Sequence, residues 1–344
     1  MAERAKAPNP PLRIGVLGCA EIARRRMLPA FDAVPGAVVT AVAARNAGRA
    51  AELAARHGCH PVTGYAALLA RPDVDAVYVP LPVSLHAPWV EAALLAGKHV
   101  LAEKPLSEDP ATTRRLLALA ESRGLVLREN VMFVHHPQHA AVRQLVRDGA
   151  IGELRAFSAS FAVPPLPADD IRYAPELGGG ALLDIGIYPV GAAVHFLGDR
   201  LTVTGAVLRH GDDPHRGAVE TSGAALLHTD DGLSAQLTFG MDHSYRSAYE
   251  LWGSRGRIRV ERAFTLPADH HPAVRLERDG RSEEIRLAPA DQVILAVTDF
   301  VAACRTGTPA ADAVLRRAEL LDGIRRADRR RLTPLTTHAV EGRT

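Results

Sequence analysis

Four short segments of this 344-residue chain carry residue types that could do chemistry together. The first is Glu103-Lys104-Pro105, at the end of an apolar run. Of 41 basic side chains only Lys6, Lys98 and Lys104 are lysines, so a lysine at a strand end stands out from a background of arginine. A turn lysine commonly serves as a salt-bridge partner and nothing more. Beside a desolvated or positively charged pocket its pKa would be pushed down, which suits proton transfer. The second segment is residues 176–189, where Gly178-Gly179-Gly180 leads into a helical run with Asp184 and Tyr188 four residues apart, hence on one face. A carboxylate and a phenol so placed could bind sugar hydroxyls and protonate a carbonyl oxygen, although such a pair also occurs as plain structure. The third is Gly18-Cys19-Ala20-Glu21-Ile22-Ala23, with alanine at the second and third positions of a glycine fingerprint. Small residues there let the backbone approach a pyrophosphate seated on a helix N-terminus, and many turns without a ligand contain one glycine too. The fourth is Ala44-Arg45-Asn46 with Arg49 one turn on, and no Asp or Glu to hold a ribose diol. Arginine there can pair with a 2′-phosphate, which favours NADP over NAD.

These segments need a scaffold, and the patterning supplies one. Residues 12–17 (LRIGVL), 38–44 (VVTAVAA), 75–81 (DAVYVPL), 99–102 and 125–133 are apolar runs that predict buried strands. Helical stretches alternate with them, from about residue 21 with an interruption at Pro29, and over 47–57, 86–96 and 110–123. Strands alternating with helices and buried on both faces imply a doubly wound parallel sheet, whose ligands bind at the carboxyl ends of the strands. All the segments before residue 105 fall at such ends, as does Pro80-Leu81-Pro82. After about residue 149 the pattern becomes alternating: 154–163, 201–210, 218–229, 233–242, 257–261, 274–278 and 284–287 predict strands. Asp230-Asp231-Gly232 reads as a hairpin turn, and amphipathic stretches at 291–305 and 312–329 close the chain. The fold class is therefore α/β, an N-terminal doubly wound parallel-sheet domain followed by an α+β domain with a mostly antiparallel open sheet. The domain boundaries are expected at 1–11 (a disordered lead-in), 12–133 and 134–344.

Together these residues resemble the Gfo/Idh/MocA oxidoreductases over nearly the full length, on Gly18-Cys19-Ala20-x-Ile22-Ala23, Ala44-Arg45, Glu103-Lys104-Pro105 and GGGALLDIGIYPV (178–190). Within that family the chain is most similar to NADPH-dependent 3-ketoreductases of deoxysugar biosynthesis, through AVYVPLPVSLHAPWV (76–90), ENVMFVHHPQH (129–139), DIRY (170–173) and AQLTFGMDH (235–243). The resemblance implies a Rossmann domain and NADPH/NADP+ as cofactor, with a dTDP-linked 3,4-diketo-2,6-dideoxyhexose as substrate, reduced at C3. It implies catalytic roles for Lys104 and Tyr188, and substrate contacts from Asp184, Arg172, His136 and Arg26. Cofactor contacts would come from Gly18, Cys19, Ala20, Glu21, Ile22, Ala44, Arg45, Arg49, Pro80, Leu81, Pro82, His86, Glu103 and Lys104. A cis Lys104–Pro105 bond and a homodimer or homotetramer built on the outer face of the C-terminal sheet also follow from it. Ala20, where a glycine is common, departs from the family pattern and tightens the pyrophosphate approach.

Composition narrows the alternatives. A net charge of +2 with scattered basic residues leaves no footprint for nucleic acid. Apolar runs such as 75–83 fall short of a membrane span, and three cysteines at unrelated spacings suggest a reducing cytoplasm rather than a disulfide framework. His135 and His139 have ligand spacing but no evident third ligand, so no metal is expected. Two other functions remain consistent with the residues: an NADP-dependent dehydrogenase oxidising a free aldose or a trans-dihydrodiol, and a non-catalytic NADP(H)-sensing module.

Overall fold

The computed structural model describes residues 10–211, 219–308 and 313–331. Residues 1–9 of the expected lead-in lie outside it, as do Ala218 and Asp312 at the starts of two expected elements, and residues 332–344 of the expected second domain.

Six strands form the first sheet: β1 Leu12–Leu17, β2 Ala37–Ala44, β3 His60–Thr63, β4 Ala76–Val79, β5 His99–Ala102 and β6 Leu127–Glu129. They are all parallel, in the order β3-β2-β1-β4-β5-β6. The chain order reverses between β1 and β4, which is where a doubly wound sheet opens a ligand crevice. β1 and β4 are buried almost throughout, because helices cover both faces. On one face Ile14, Val16, Met27, Phe31 and Tyr78 pack with Val293, Val297 and Phe300. Those last three belong to the helix Gln292–Thr306, which follows the second sheet in sequence yet packs on the first.

Eight more strands build the second sheet: β7 Leu154–Ala162, β8 Leu201–His210, β9 Glu220–Thr229, β10 Ser234–Gly240, β11 Arg246–Gly253, β12 Gly256–Glu261, β13 Ala273–Arg278 and β14 Arg281–Arg286. Their order is β14-β13-β12-β11-β7-β10-β9-β8, antiparallel except for the β7–β10 pair. The β9–β10 hairpin turns at Asp230-Asp231-Gly232, where Gly232 takes φ +86°, a conformation a side chain would resist. Alternation along the strands splits the sheet into two faces. Phe157, Ala159, Phe161, Leu227 and Leu237 point inward against the helix Ile187–Leu197, whereas Val207, Leu226 and Trp252 stand exposed on the other face.

Several sequence expectations need adjustment. The first helix is not interrupted at Pro29, because a π turn at Ala23–Met27 runs straight into Leu28–Ala33. The wider turn precedes a proline that has no N–H to give, so the helix passes through. Strands β3 and β11 and the short helix Tyr65–Leu69 were not expected: Pro61 masks an edge strand, and RSAYELWG lacks a regular apolar–polar alternation. The last strand of the first sheet is shorter than 125–133, since Met132–His135 forms a 3₁₀ turn. The apolar runs also include one long enough to cross a bilayer by length and composition, Pro175–Leu197. Its apolar window is 72% buried within the fold.

Candidate active site

Loops after β1, β4 and β5 lie side by side because those strands are adjacent and parallel. Lys104 leaves β5 in the last of them, and the Lys104–Pro105 bond is cis. Facing it is the helical run that begins after the glycine triplet. There a π turn at Leu182–Gly186 carries Asp184, and the helix Ile187–Leu197 carries Tyr188. A π turn loosens the regular backbone ladder, and here the Asp184 carbonyl accepts from the Lys104 ammonium at 2.8 Å. The ammonium also donates to Asp184 Oδ1 at 2.7 Å and stands 5.1 Å from the centroid of the Tyr188 ring. Arg172 approaches from the 3₁₀ turn Ile171–Tyr173 and donates through Nε to Asp184 Oδ2 at 2.6 Å and through Nη1 to Asp170 Oδ1 at 3.1 Å. Lys104, Asp184, Arg172 and Asp170 thus form a row of alternating charge.

The electrostatics follow from that row. Burial disfavours the Lys104 ammonium, but Asp184, with Tyr188 and Glu103, outweighs it, so the pKa is raised. This corrects the expectation of a depressed lysine: the pocket supplies a carboxylate, and the group stays charged. Burial alone would lift the Asp184 carboxyl; Lys104 and Arg172 instead hold it well below the usual carboxylate range. Burial raises the Tyr188 hydroxyl, and the nearby Lys104 pulls the other way. The Tyr188 ring is fixed by edge contacts with Phe161 at 4.7 Å and a tilted one with Phe264 at 5.8 Å.

Behind Lys104, Glu103 Oε1 accepts from Tyr78 Oη and from Asn130 Nδ2, each at 2.7 Å. Asn130 and Tyr78 were not singled out as site residues from sequence, although both lie in the segments 76–90 and 129–139 that carry the family resemblance.

The crevice at β1 and β4 is where a dinucleotide would lie in a sheet of this topology. Gly18 takes φ +122°, and a Cβ there would meet Leu81 Cδ2 at 3.1 Å and Tyr65 Oη at 3.8 Å. That positive φ favours glycine at position 18, and a helix begins three residues on, at Glu21, where a dinucleotide fold seats its pyrophosphate. Arg45 and Arg49 are exposed beside the end of β2, with the Asn46 side chain accepting from Arg49 N at 3.1 Å. Burial raises the Tyr65 pKa, while Arg45 and Arg49 lie close enough for both charges to favour its phenolate. A glycine cradle, a helix N-terminus and two arginines suit a phosphorylated dinucleotide.

Residues 12–131 match the family described as "Oxidoreductase family, NAD-binding Rossmann fold", and residues 139–259 match the GFO/IDH/MocA C-terminal domain. A dTDP-3,4-didehydro-2,6-dideoxy-alpha-D-glucose 3-reductase from Streptomyces violaceoruber is 55% identical over 328 residues, 92% of this chain and 95% of that protein. One of the same name from Streptomyces antibioticus is 53% identical, covering 92% of this chain and 97% of its own length. The chain belongs to the GFO/IDH/MocA oxidoreductase family. Its fold superposes on KijD10, a 3-ketoreductase from Actinomadura kijaniata crystallised with NADP and TDP-benzene, with a TM-score of 0.89 and 51% identity over 92% of this chain and 98% of that one. KijD10 has also been crystallised with a tyrosine changed to phenylalanine and with a lysine changed to alanine.

In this family member not every expected contact gathers at the site. His86 was expected on the cofactor; it is buried, with Nδ1 2.7 Å from Pro105 O and Nε2 2.7 Å from Leu81 O. Both ring nitrogens lie against backbone carbonyls, one of which the single N–H of the neutral ring can serve, and the residue bridges the loop after β4 and the Lys104 turn. His136 was expected to face the pocket; instead it is buried at the start of the helix Pro137–Arg147, its Nδ1 accepting from Gln138 N at 3.2 Å. His139 bonds Tyr249 Oη at 2.9 Å. Among the described residues no three His, Cys, Asp or Glu side chains are grouped to hold a metal. Arg26 lies half-buried on the first π turn, outside the row of charge. Glu21 is exposed and pairs with Arg24 and Arg25, while Ile22 packs toward the core and Cys19 Sγ lies 3.5 Å from Arg49 O. Ala20 follows β1, Ala44 ends β2, and Pro80, Leu81 and Pro82 follow β4, all at the carboxyl ends of the parallel strands.

Proposed function

We propose that this chain is an NADPH-dependent reductase of the C3 ketone in a dTDP-linked 3,4-diketo-2,6-dideoxyhexose, acting in deoxysugar biosynthesis. The observation that carries this reading is the Lys104 ammonium, bonded to Asp184 and 5.1 Å from the Tyr188 ring at the carboxyl edge of the parallel sheet. Relatives with that activity in their names match it at 53% and 55% identity over nearly full length.

When bound, the dihydronicotinamide supplies the hydride, and the ketone oxygen then needs one proton. Gly18 through Ile22 would hold the pyrophosphate on the helix N-terminus, and Arg45 with Arg49 the 2′-phosphate. An ammonium has three N–H donors, and Asp184 takes two of those of Lys104. The third is left for the ketone oxygen, where a fixed positive charge stabilises developing alkoxide. Because Asp184 raises the Lys104 pKa, the lysine acts as a charged hydrogen-bond donor, and the proton is assigned to the Tyr188 hydroxyl. Loss of that proton leaves a phenolate beside the ammonium. Arg172, joined to Asp184 and 41% exposed along its side chain, holds the carboxylate from the far side and presents positive charge toward the cleft.

The three cysteines are free thiols, in keeping with a cytoplasmic enzyme. The exposed outer face of the second sheet, with Val207, Leu226 and Trp252, is the surface we assign to a homodimer or homotetramer. The test is direct. NADPH absorbance should fall with the dTDP-diketo sugar, and NADP+ should not be reduced by free aldoses or trans-dihydrodiols at a comparable rate. The opposite ranking would refute the assignment.

A further inference from the structure

The turn that presents Lys104 is gripped from behind by a buried ion pair that nothing in the chemistry above uses. Glu129, the last residue of β6, accepts the Leu106 backbone N–H on Oε1 at 2.8 Å. On Oε2 it accepts Arg317 Nε at 2.7 Å and Nη2 at 2.6 Å. The Glu129 and Arg317 side chains are 3% and 8% exposed, so the pair is shielded from water. Arg317 belongs to the helix Ala313–Arg331, 188 residues away in sequence. Its Cδ also lies against the helix that carries Tyr188, 3.5 Å from where a Cβ on Gly191 would stand. The strut therefore reaches the Lys104 turn at one end and the Asp184–Tyr188 helix at the other.

Stability is a weak reason for such a pair. Replacing both members of a buried ion pair by apolar residues of similar size is often neutral or stabilising. Geometry is a better one. The Leu106 N–H sits two residues past Lys104, so a shift there is transmitted to the ammonium. On the other side of the same turn, His86 Nδ1 holds Pro105 O at 2.7 Å. A displacement of about 1 Å in a catalytic group can lower turnover by about 100-fold.

We propose that Glu129 and Arg317 are positioning residues that set the Lys104 ammonium against Asp184 and Tyr188, without touching the reacting atoms. This rests on the reading of Lys104 as the donor at the ketone oxygen. The decisive variant is the full-length double substitution Glu129→Leu/Arg317→Met, which removes both charges together and leaves no lone buried ion. Its far-UV spectrum and Tm should stay close to wild type, and its NADPH Kd should be unchanged. Its kcat should fall by about 10- to 100-fold, with the alkaline limb of the kcat–pH profile displaced downward.

A readout independent of substrate comes from the scarcity of lysine. The chain has only Lys6, Lys98 and Lys104, and Lys98 is anchored separately on the Arg71 and Val74 carbonyls. Peptide mass spectrometry after amine acylation should show Lys104 labelled faster, relative to Lys98, in the double variant than in wild type. A kcat within twofold of wild type with an unchanged labelling ratio would overturn the strut. Should the double variant fail to fold, Glu129→Gln keeps an acceptor oxygen for Leu106 but puts an amide NH2 in place of the oxygen that accepts from Arg317, which breaks the ion pair. It should still raise Lys104 labelling and lower kcat, and no change in either refutes the proposal. If wild type itself shows no turnover of the dTDP-diketo sugar, the substrate assignment fails, and the labelling ratio still decides the strut.

Discussion

Asp184→Asn is the sharpest test of the site's electrostatics. Asparagine keeps the size and an acceptor oxygen but removes the negative charge 2.7 Å from the Lys104 ammonium. Lys104 is balanced between burial, which lowers its pKa, and Asp184, which leads the groups raising it. An opposite charge this close moves a pKa by about 1–3 units, or about 1.4–4 kcal/mol between the two protonation states. With the carboxylate gone, burial and the remaining Arg172 charge both act downward. The alkaline limb of kcat should therefore move to lower pH, by about the 1–3 units that an adjacent opposite charge is worth. The assay is steady-state NADPH oxidation with saturating dTDP-diketo sugar from neutral to alkaline pH, with the NADPH Kd measured alongside. Alkaline limbs that coincide in wild type and variant would show that Lys104 is not the group being held charged.

The same substitution has a stability signature of known sign. The folded Asp184 carboxyl is held below its unfolded value, so its contribution is complete above about pH 4 and is lost as the pH falls through the folded pKa. The variant lacks that acid-dependent loss, and its Tm should change less than that of wild type below about pH 4.

Other perturbations read separate parts of the molecule. Tyr188→Phe removes the assigned proton donor while keeping its packing on Phe161 and Phe264, so kcat should drop by about 100-fold or more with NADPH Kd unchanged, as read by stopped-flow and cofactor fluorescence. Arg45→Ala should raise the KM for NADPH about tenfold or more and leave that for NADH nearly as it was, because a 2′-phosphate loses a charged donor. His195 is pushed down to about 4, chiefly by burial and then by Arg143, His135 and Arg317. Its depressed folded pKa means a contribution that is complete above its ordinary value of 6.5 and is lost as the pH falls toward 4, by about 3 kcal/mol at most. His195→Gln should flatten the Tm–pH curve in that window, which differential scanning calorimetry would record.

How far the sequence could be read depends on how local each signal is. Strand ends after apolar runs placed Gly18, Arg45 and Lys104 along one edge of a parallel sheet, and the helix repeat placed Asp184 and Tyr188 together. Those are short-range patterns. The meeting of Lys104 with Asp184 spans 80 residues and has no periodicity to betray it. For the same reason Glu129 and Arg317 read as one more strand residue and one more helix arginine in an arginine-rich chain. The burial of His86 and His136 was not legible, because a histidine near a ligand edge looks alike in sequence whether its ring faces a cleft or packs inside. The sign of the Lys104 pKa shift was misjudged because the sequence shows the lysine but not the charge on the opposite lobe.

That opposite lobe explains why the site needs two sheets. An ammonium largely removed from water is unfavourable unless a carboxylate accompanies it. Lys104 comes from the edge of the first sheet, and its carboxylate comes from the helix packed on the second. Arg172 then balances that carboxylate from a loop between β7 and β8, and Asp170 in turn balances Arg172. Each charge is stabilised by one supplied from elsewhere in the chain, so the first sheet alone would leave Lys104 without its partner. Docking of the lobes and assembly of a charged donor at the ketone oxygen are consequently one event. A variant that separates the lobes should lose the raised Lys104 pKa and turnover together.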